Sequence, residues 1–167
     1  MIPTSSTSKL RRVSALCTER RYEEAASLLS TTPPQFDISL WLSDSAVSPR
    51  ETLLAVVQFK NAEPVTADEL TISLRASGGA VPSQDWAKPY HSLAVGALTP
   101  GDVHVESVRF VWRAGGPSAQ TVQAAASYAV LGAQRSATSK TRYVTILPDS
   151  PSPARRSQKE ALGTRPR

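Results

Sequence analysis

Apolar residues change their spacing twice along this chain. Leu10, Val13 and Cys17 fall at i, i+3 and i+7, with Leu16 beside them, which is the spacing of one helical face. After Arg20-Arg21, the pairs Ala25/Ala26 and Leu28/Leu29 repeat that spacing, with Glu23 and Glu24 at the start of the segment, where carboxylates complement the helix dipole. The pattern predicts two short helices, about 6–19 and 22–30, broken near Arg20-Arg21; one continuous helix is the alternative. Pro33-Pro34 closes the helical region, because proline cannot continue a helix and restricts its predecessor.

From residue 35 to 147 the period shortens to that of strands. Phe36, Ile38, Leu40 and Leu42 alternate with Asp37, Ser39 and Trp41, and Leu70, Ile72 and Leu74 alternate with Thr71, Ser73 and Arg75. Leu53, Leu54, Val56, Val57 and Phe59 form a denser run, as expected of a strand covered on both faces. Tyr90–Val95 is a shorter candidate. Val103, Val105, Val108, Phe110 and Trp112 form another, whose phase changes near Glu106-Ser107 and so predicts a bulge. Val122–Leu131 is alanine-rich and fits a strand or a helix, and Tyr143–Leu147 completes the set. Turn residues separate these runs: Ser48-Pro49, Asn61-Ala62-Glu63-Pro64, Gly78-Gly79, Thr99-Pro100-Gly101-Asp102 and Gly115-Gly116-Pro117. Seven short strands with gaps too short for crossover helices predict a mainly β fold, a seven-stranded antiparallel Ig-like β-sandwich behind an N-terminal helical hairpin. The expected core is Ile38, Leu40, Leu54, Val56, Leu70, Ile72, Leu74, Val108, Phe110, Tyr128, Val130, Val144 and Ile146. The expected divisions are a hairpin over 1–34, a sandwich over 35–147 and a disordered basic tail over 148–167. The tail's four prolines and single Leu leave too little apolar area to offset its ordering entropy.

Composition changes this picture at one point. The 167 residues carry a formal charge of +5 and a pI near 9.7, which invites a nucleic-acid reading. The excess is confined to the ends. Residues 35–147 hold nine bases and nine acids, residues 1–34 five and three, and residues 148–167 five and two. Electrostatic contact is therefore assigned to the tail bases Arg155, Arg156 and Lys159. Cys17 is the only cysteine, which excludes an intrachain disulfide framework and a Cys-rich zinc site. No run approaches the roughly 20 apolar residues of a membrane span, and no secretory leader pattern opens the chain.

The residue types that carry chemistry are sparse. The two histidines, His91 and His104, read as solvent-side strand residues, His104 because it alternates with Val103 and Val105. Cys17 lies on the apolar line of a helix and reads as a small packed residue. Asp68-Glu69, the one adjacent acidic pair of the sandwich region, would point to opposite strand faces and reads as a polar strand entry. Arg109 and Arg113 flank Phe110-Val111-Trp112 with opposite parity, the pattern of a strand with one solvated face. Arg11-Arg12-Val13-Ser14 has the spacing of a basic-directed kinase site inside a helix. No glycine-rich phosphate loop or Walker lysine appears. No enzyme constellation, cofactor site or metal site is expected. The candidate partner contacts are the aromatics Trp41, Trp86 and Tyr90, since aromatic side chains outside a core anchor interfaces.

Two resemblances add to this reading. The run Ala15–Leu29, with Arg21-Tyr22-Glu23-Glu24-Ala25-Ala26 at its centre, resembles the turn between paired helices of a TPR-like α-solenoid, whose repeats rely on neighbours to bury a face. Ser48-Pro49-Arg50-Glu51-Thr52-Leu53-Leu54-Ala55-Val56-Val57-Gln58-Phe59-Lys60-Asn61, followed by Leu98-Thr99-Pro100-Gly101-Asp102, resembles Ig-like domains of trafficking proteins, namely adaptin appendages and the C-terminal parts of transport protein particle (TRAPP) tether subunits. Arrestin-like domains share the first feature with Gly where this chain has Arg50. The resemblance implies a non-enzymatic protein–protein interaction module of an intracellular assembly, a vesicle-tethering subunit or fragment. It would bind other subunits and lie in the cytoplasm, at the periphery of Golgi or vesicle membranes. The second hypothesis is a nucleic-acid-associated sandwich of viral coat or movement type that uses its basic ends.

Overall fold

The computed structural model describes residues 6–80 and 90–149. Helix α1 spans Ser6–Thr18 and α2 spans Tyr22–Ser30. The break between them is a Schellman-type stop. Arg20 adopts a left-handed φ of 60°, the Arg20 N–H reaches the Cys17 carbonyl, and the Arg21 N–H reaches the Leu16 carbonyl. The Arg21 guanidinium then holds Glu19 and Glu24 together at the exposed turn.

Ten strands follow: β1 (Phe36–Leu42), β2 (Ala46–Val47), β3 (Thr52–Asn61), β4 (Ala67–Ala76), β5 (Gly79–Ala80), β6 (Tyr90–Leu98), β7 (Val103–Trp112), β8 (Ala119–Val130), β9 (Ala133–Thr138) and β10 (Arg142–Ile146). The chain is mainly β. One sheet has the order β1-β3-β7-β5, and the other β2-β10-β8-β4-β6 with β9 also paired to β8. The inner faces of both sheets and the inner sides of both helices share one apolar core. The strands added to the seven expected are the two-residue β2 and β5 and the short β9.

Three local expectations change. In β3 the buried residues are Leu53, Ala55, Val57 and Phe59, while Leu54 and Val56 face outward and are half-buried. Both parities of this strand are apolar, so pattern alone could not choose a face; pairing of Leu53 with Phe110 and Ala55 with Val108 turns the odd residues inward. Ile38 is likewise only half-buried, packed against the core from its margin. Strand β7 has no bulge, since its register with β3 runs unbroken from Val111 to Val103. The apparent phase change is a change of chemistry on a regular strand: inward positions carry Trp112, Phe110 and Val108, then Glu106 and His104. The irregularity lies in β4, between Asp68 and Thr71, where Glu69 adopts φ 53°. The alanine-rich segment is strand. β8 pairs with β4 on one side and with β9 and β10 on the other, and these ladders override alanine's helical preference.

Asn61 explains why the end of β3 and the Leu98–Asp102 turn occur together. Its Nδ2 donates to the carbonyls of Val65 (3.0 Å) and Leu98 (2.8 Å), its Oδ1 accepts from the Glu63 N–H (2.9 Å), and its carbonyl accepts from the Gly101 N–H (2.8 Å). Gly101, at φ 84°, supplies the conformation this turn needs. Asn61 is fully buried, so these bonds satisfy a side chain that has no access to water.

Arg50 sits at φ 71° with an exposed side chain, and its N–H donates to the Trp112 carbonyl at 2.9 Å. A left-handed non-glycine residue costs about 1–2 kcal/mol, against about 0.5–1 kcal/mol of added chain entropy for glycine. Arg50→Gly is expected to raise stability by about 0.5–1 kcal/mol. A urea titration checks this through a higher midpoint at unchanged slope.

Candidate functional site

The most exposed aromatics among the described residues with a shared surface are Trp41 on β1 and Tyr143 on β10, 50% and 74% accessible. They line one hollow of about 440 Å³ together with Leu42, Ser43, Asp44 and Arg142. β1 ends one sheet, and β10 lies near one end of the other. The Arg142 Nε–H donates to the Leu40 carbonyl at 3.0 Å and joins the two sheets at this flank. Trp41 is outward because its cross-strand partner Val56 is on the outer face of β3.

The other expected aromatics do not join this site. Tyr90 opens β6 at the opposite end of the second sheet and lines a separate shallow hollow of about 300 Å³ with Ser73, Arg75 and Gln123. Trp86, Arg155, Arg156 and Lys159 lie outside the described residues, as does nearly all of the segment 148–167 expected to form a tail. Tyr143 was missed in sequence because it lies at the start of a short strand with no loop signature around it.

The histidines correct their expectation. His104 does face away from Val103 and Val105, but the valines are the outward residues and His104 is inward, paired with Phe59. His91 pairs with inward Leu74. Their Nε2 atoms approach opposite oxygens of Glu106, at 3.7 Å from His91 and 3.6 Å from His104, across the gap between β6 and β7. These separations exceed hydrogen-bond distance, and both ring nitrogens are shut from solvent without a hydrogen-bond partner. Among the described residues no three His, Cys, Asp or Glu side chains are arranged to hold a metal ion. Cys17 is half-buried, and burial pushes its thiol up from the ordinary range, away from thiolate reactivity.

The one deeply buried charged cluster among the described residues joins Glu63, Arg135 and Tyr128. Glu63 Oε1 accepts from the Tyr128 hydroxyl (2.9 Å) and from the Gln35 N–H (3.0 Å), and Arg135 Nε lies 3.0 Å away. The Glu63 side chain is fully inaccessible and that of Arg135 is 6% exposed. Arg135 directs its terminal nitrogens elsewhere: Nη1 donates to the Leu29 carbonyl and Nη2 to the Thr32 carbonyl, both at 2.9 Å. A cation at the carboxyl end of α2 complements the helix dipole. The cluster therefore clamps the hairpin onto β8, β9 and the β3–β4 turn, and its burial leaves no room for a substrate. Nothing in the Asn61-Ala62-Glu63-Pro64 turn distinguishes its Glu from a solvated one in sequence.

No protein-family model matches this sequence, and neither does any curated protein. Solved structures with a similar chain path include the CARDB domain of a Pyrococcus furiosus protein in complex with di-metal ions (12% identity, 68% of this chain and 89% of that one, TM-score 0.46). They also include the Bacillus subtilis sporulation control protein Spo0M (13%, 70% and 50%, 0.36) and AvmM, which catalyses macrocyclisation in alchivemycin A biosynthesis (12%, 70% and 90%, 0.48). No helix among the described residues is long and apolar enough to cross a membrane.

The clamp can be tested in two ways. Glu63→Gln leaves a buried guanidinium without its counter-charge and is expected to cost about 3–5 kcal/mol. The double variant Glu63→Leu/Arg135→Met is expected to cost less than the two single changes together, as a denaturant-based double-mutant cycle would show. Burial, followed by the neighbouring Glu63 carboxylate, holds the Tyr128 phenol well above its ordinary range. A raised folded value means that the unfolded chain loses this proton first, so stability is complete below about pH 10 and falls as pH rises beyond it. Ultraviolet titration should find one tyrosine that ionises only as the fold opens, and Tyr128→Phe should remove that late step.

Proposed function

We propose that this chain is a non-enzymatic protein–protein interaction module of an intracellular assembly, built as an Ig-like sandwich. The Ig-like reading is supported by the long strands alone. With two-residue β2 and β5 set aside, and β9 and β10 counted as one interrupted strand along β8, three strands face four. The observation that carries the interaction reading is the Trp41–Tyr143 hollow. Two large aromatic side chains stay exposed on rigid strands, at a flank where Leu42 and the stem of Arg142 add apolar area. Tyr and Trp supply contact area at small entropic cost and dominate interface energetics. The partner class is another subunit of a larger assembly, and the vesicle-tethering (TRAPP-type) reading rests on the sequence resemblance and on the solenoid-like hairpin.

Purification of the full chain from its own cells, with mass spectrometry of what accompanies it, tests this reading. The expected result is a defined set of subunits, including tether components, lost when Trp41→Ala and Tyr143→Ala are combined in a chain that still folds. A hot-spot pair should cost about 2 kcal/mol or more, roughly thirtyfold in affinity. A chain that carries no stable partner, or that keeps all of them in the double variant, overturns it.

A further inference from the structure

Among the described residues, strand β7 has an unpaired edge along 103–107. In an antiparallel ladder, alternate residues direct their main-chain groups to each neighbour. The Asn61 N–H bonds to the Asp102 carbonyl, so odd residues of β3 face β7, and their partners His104 and Glu106 bond back. Val103, Val105 and Ser107 therefore point their N–H and C=O groups away from β3. Among the described residues that edge is paired only at Val111 and Trp112, by β5. Three other edges are managed. Arg142 occupies the Leu40 carbonyl on β1, β2 is two residues long, and β6 meets β4 through register shifts, with Gly96 at φ 94°. The β7 edge is straight, free of proline, and carries Val103 and Val105 at 46% and 57% exposure. Natural proteins seldom leave such an edge bare.

Its sequence is self-complementary in one register. A two-fold axis through Val105 sets Val105 against Val105 of a second copy and Val103 against Ser107 of that copy. The open main-chain groups then meet as hydrogen-bonded pairs. The same register sets His104 opposite Glu106 of the second copy, twice by symmetry. Moving the axis to Glu106 would keep the open groups facing each other but would oppose two carboxylates across the axis. We propose that the occupant of this edge is a second copy of this chain, paired antiparallel along 103–107 so that two four-stranded sheets become one continuous sheet. This surface is separate from the Trp41–Tyr143 hollow, so loss of one contact leaves the other readable.

Sedimentation equilibrium of the full chain over a dilution series tests the pairing. The expected result is a monomer–dimer equilibrium. Val105→Pro, which removes the N–H at the axis from an edge where proline is tolerated, and Val105→Lys, which sets like charges in opposition, should each raise the dimer dissociation constant at least about tenfold. In a Cys17→Ser background, Val105→Cys should form a disulfide-linked dimer on oxidation. Val103→Cys should do so only when Ser107→Cys is also present. A monomer at every concentration, a dimer indifferent to both Val105 changes, or cross-linking of the Val103→Cys chain without Ser107→Cys overturns the proposal. So would slow, concentration-independent hydrogen exchange at Val103, Val105 and Ser107, which would mean that the edge is covered within a single chain.

Discussion

The fold turns on how Arg135 divides its donors. One guanidinium faces a fully buried carboxylate and also caps the carbonyl end of α2. Without it, Glu63 would be a charge sealed beside Tyr128 and the Gln35 backbone, and among the described residues the hairpin would meet the sheets through apolar contacts alone. A buried ion pair adds little net stability over a well-packed apolar substitute. Its effect here is on geometry. The carboxylate fixes Tyr128 and the Gln35 backbone, Tyr128 packs on Phe36 with ring centroids 4.6 Å apart, and Phe36 starts β1. The charge pair thus ties the start of the first strand and the end of the helices before it to the second sheet, beside the β1–β3 ladder and the apolar packing of the hairpin.

From this clamp the two flanks diverge. On the β1 and β10 side, Arg142 reaches the Leu40 carbonyl and the sheets are joined. On the β6 and β7 side, the inward positions end in His91, His104 and Glu106, whose closest approaches are beyond hydrogen-bond distance. Apolar packing thins there, because polar side chains take the inward sites on β7 while valines occupy the outward ones. Among the described residues, one flank thus presents rigid exposed aromatics over a closed seam, and the other a main-chain edge unpaired along 103–107. The two proposed contacts therefore differ in kind, side-chain anchoring in the first and strand addition in the second.

Much of the architecture was legible before any coordinates. Both helices lie within a residue of their expected limits, because a 3.6-residue apolar period and a proline pair admit few alternatives. The alternating runs of β1, β4 and β8 placed Leu40, Leu70, Ile72, Leu74, Tyr128 and Val130 in the core, where they are buried. Where both parities were apolar, as in β3, or where valine sat outside and histidine inside, as in β7, the pattern misled. Hydrophobicity at a single position does not say which neighbour will cover it. Trp41 was legible as an outward residue on an amphipathic strand, whereas Tyr143 became a site residue only when β10 was brought beside β1.

The amino-acid order by itself determined the class of structure, the helix–strand switch at the proline pair, the neutral charge of residues 35–147 and the confinement of excess charge to the ends. These are properties of local spacing and composition, and no partner elsewhere in the chain can change them. Only the tertiary structure decided which face of each strand is inside, that Glu63 and Arg135 are buried together although far apart in sequence, and which edge of β7 is unpaired among the described residues. Burial, pairing and edge exposure depend on what a distant segment covers, and no local pattern encodes that.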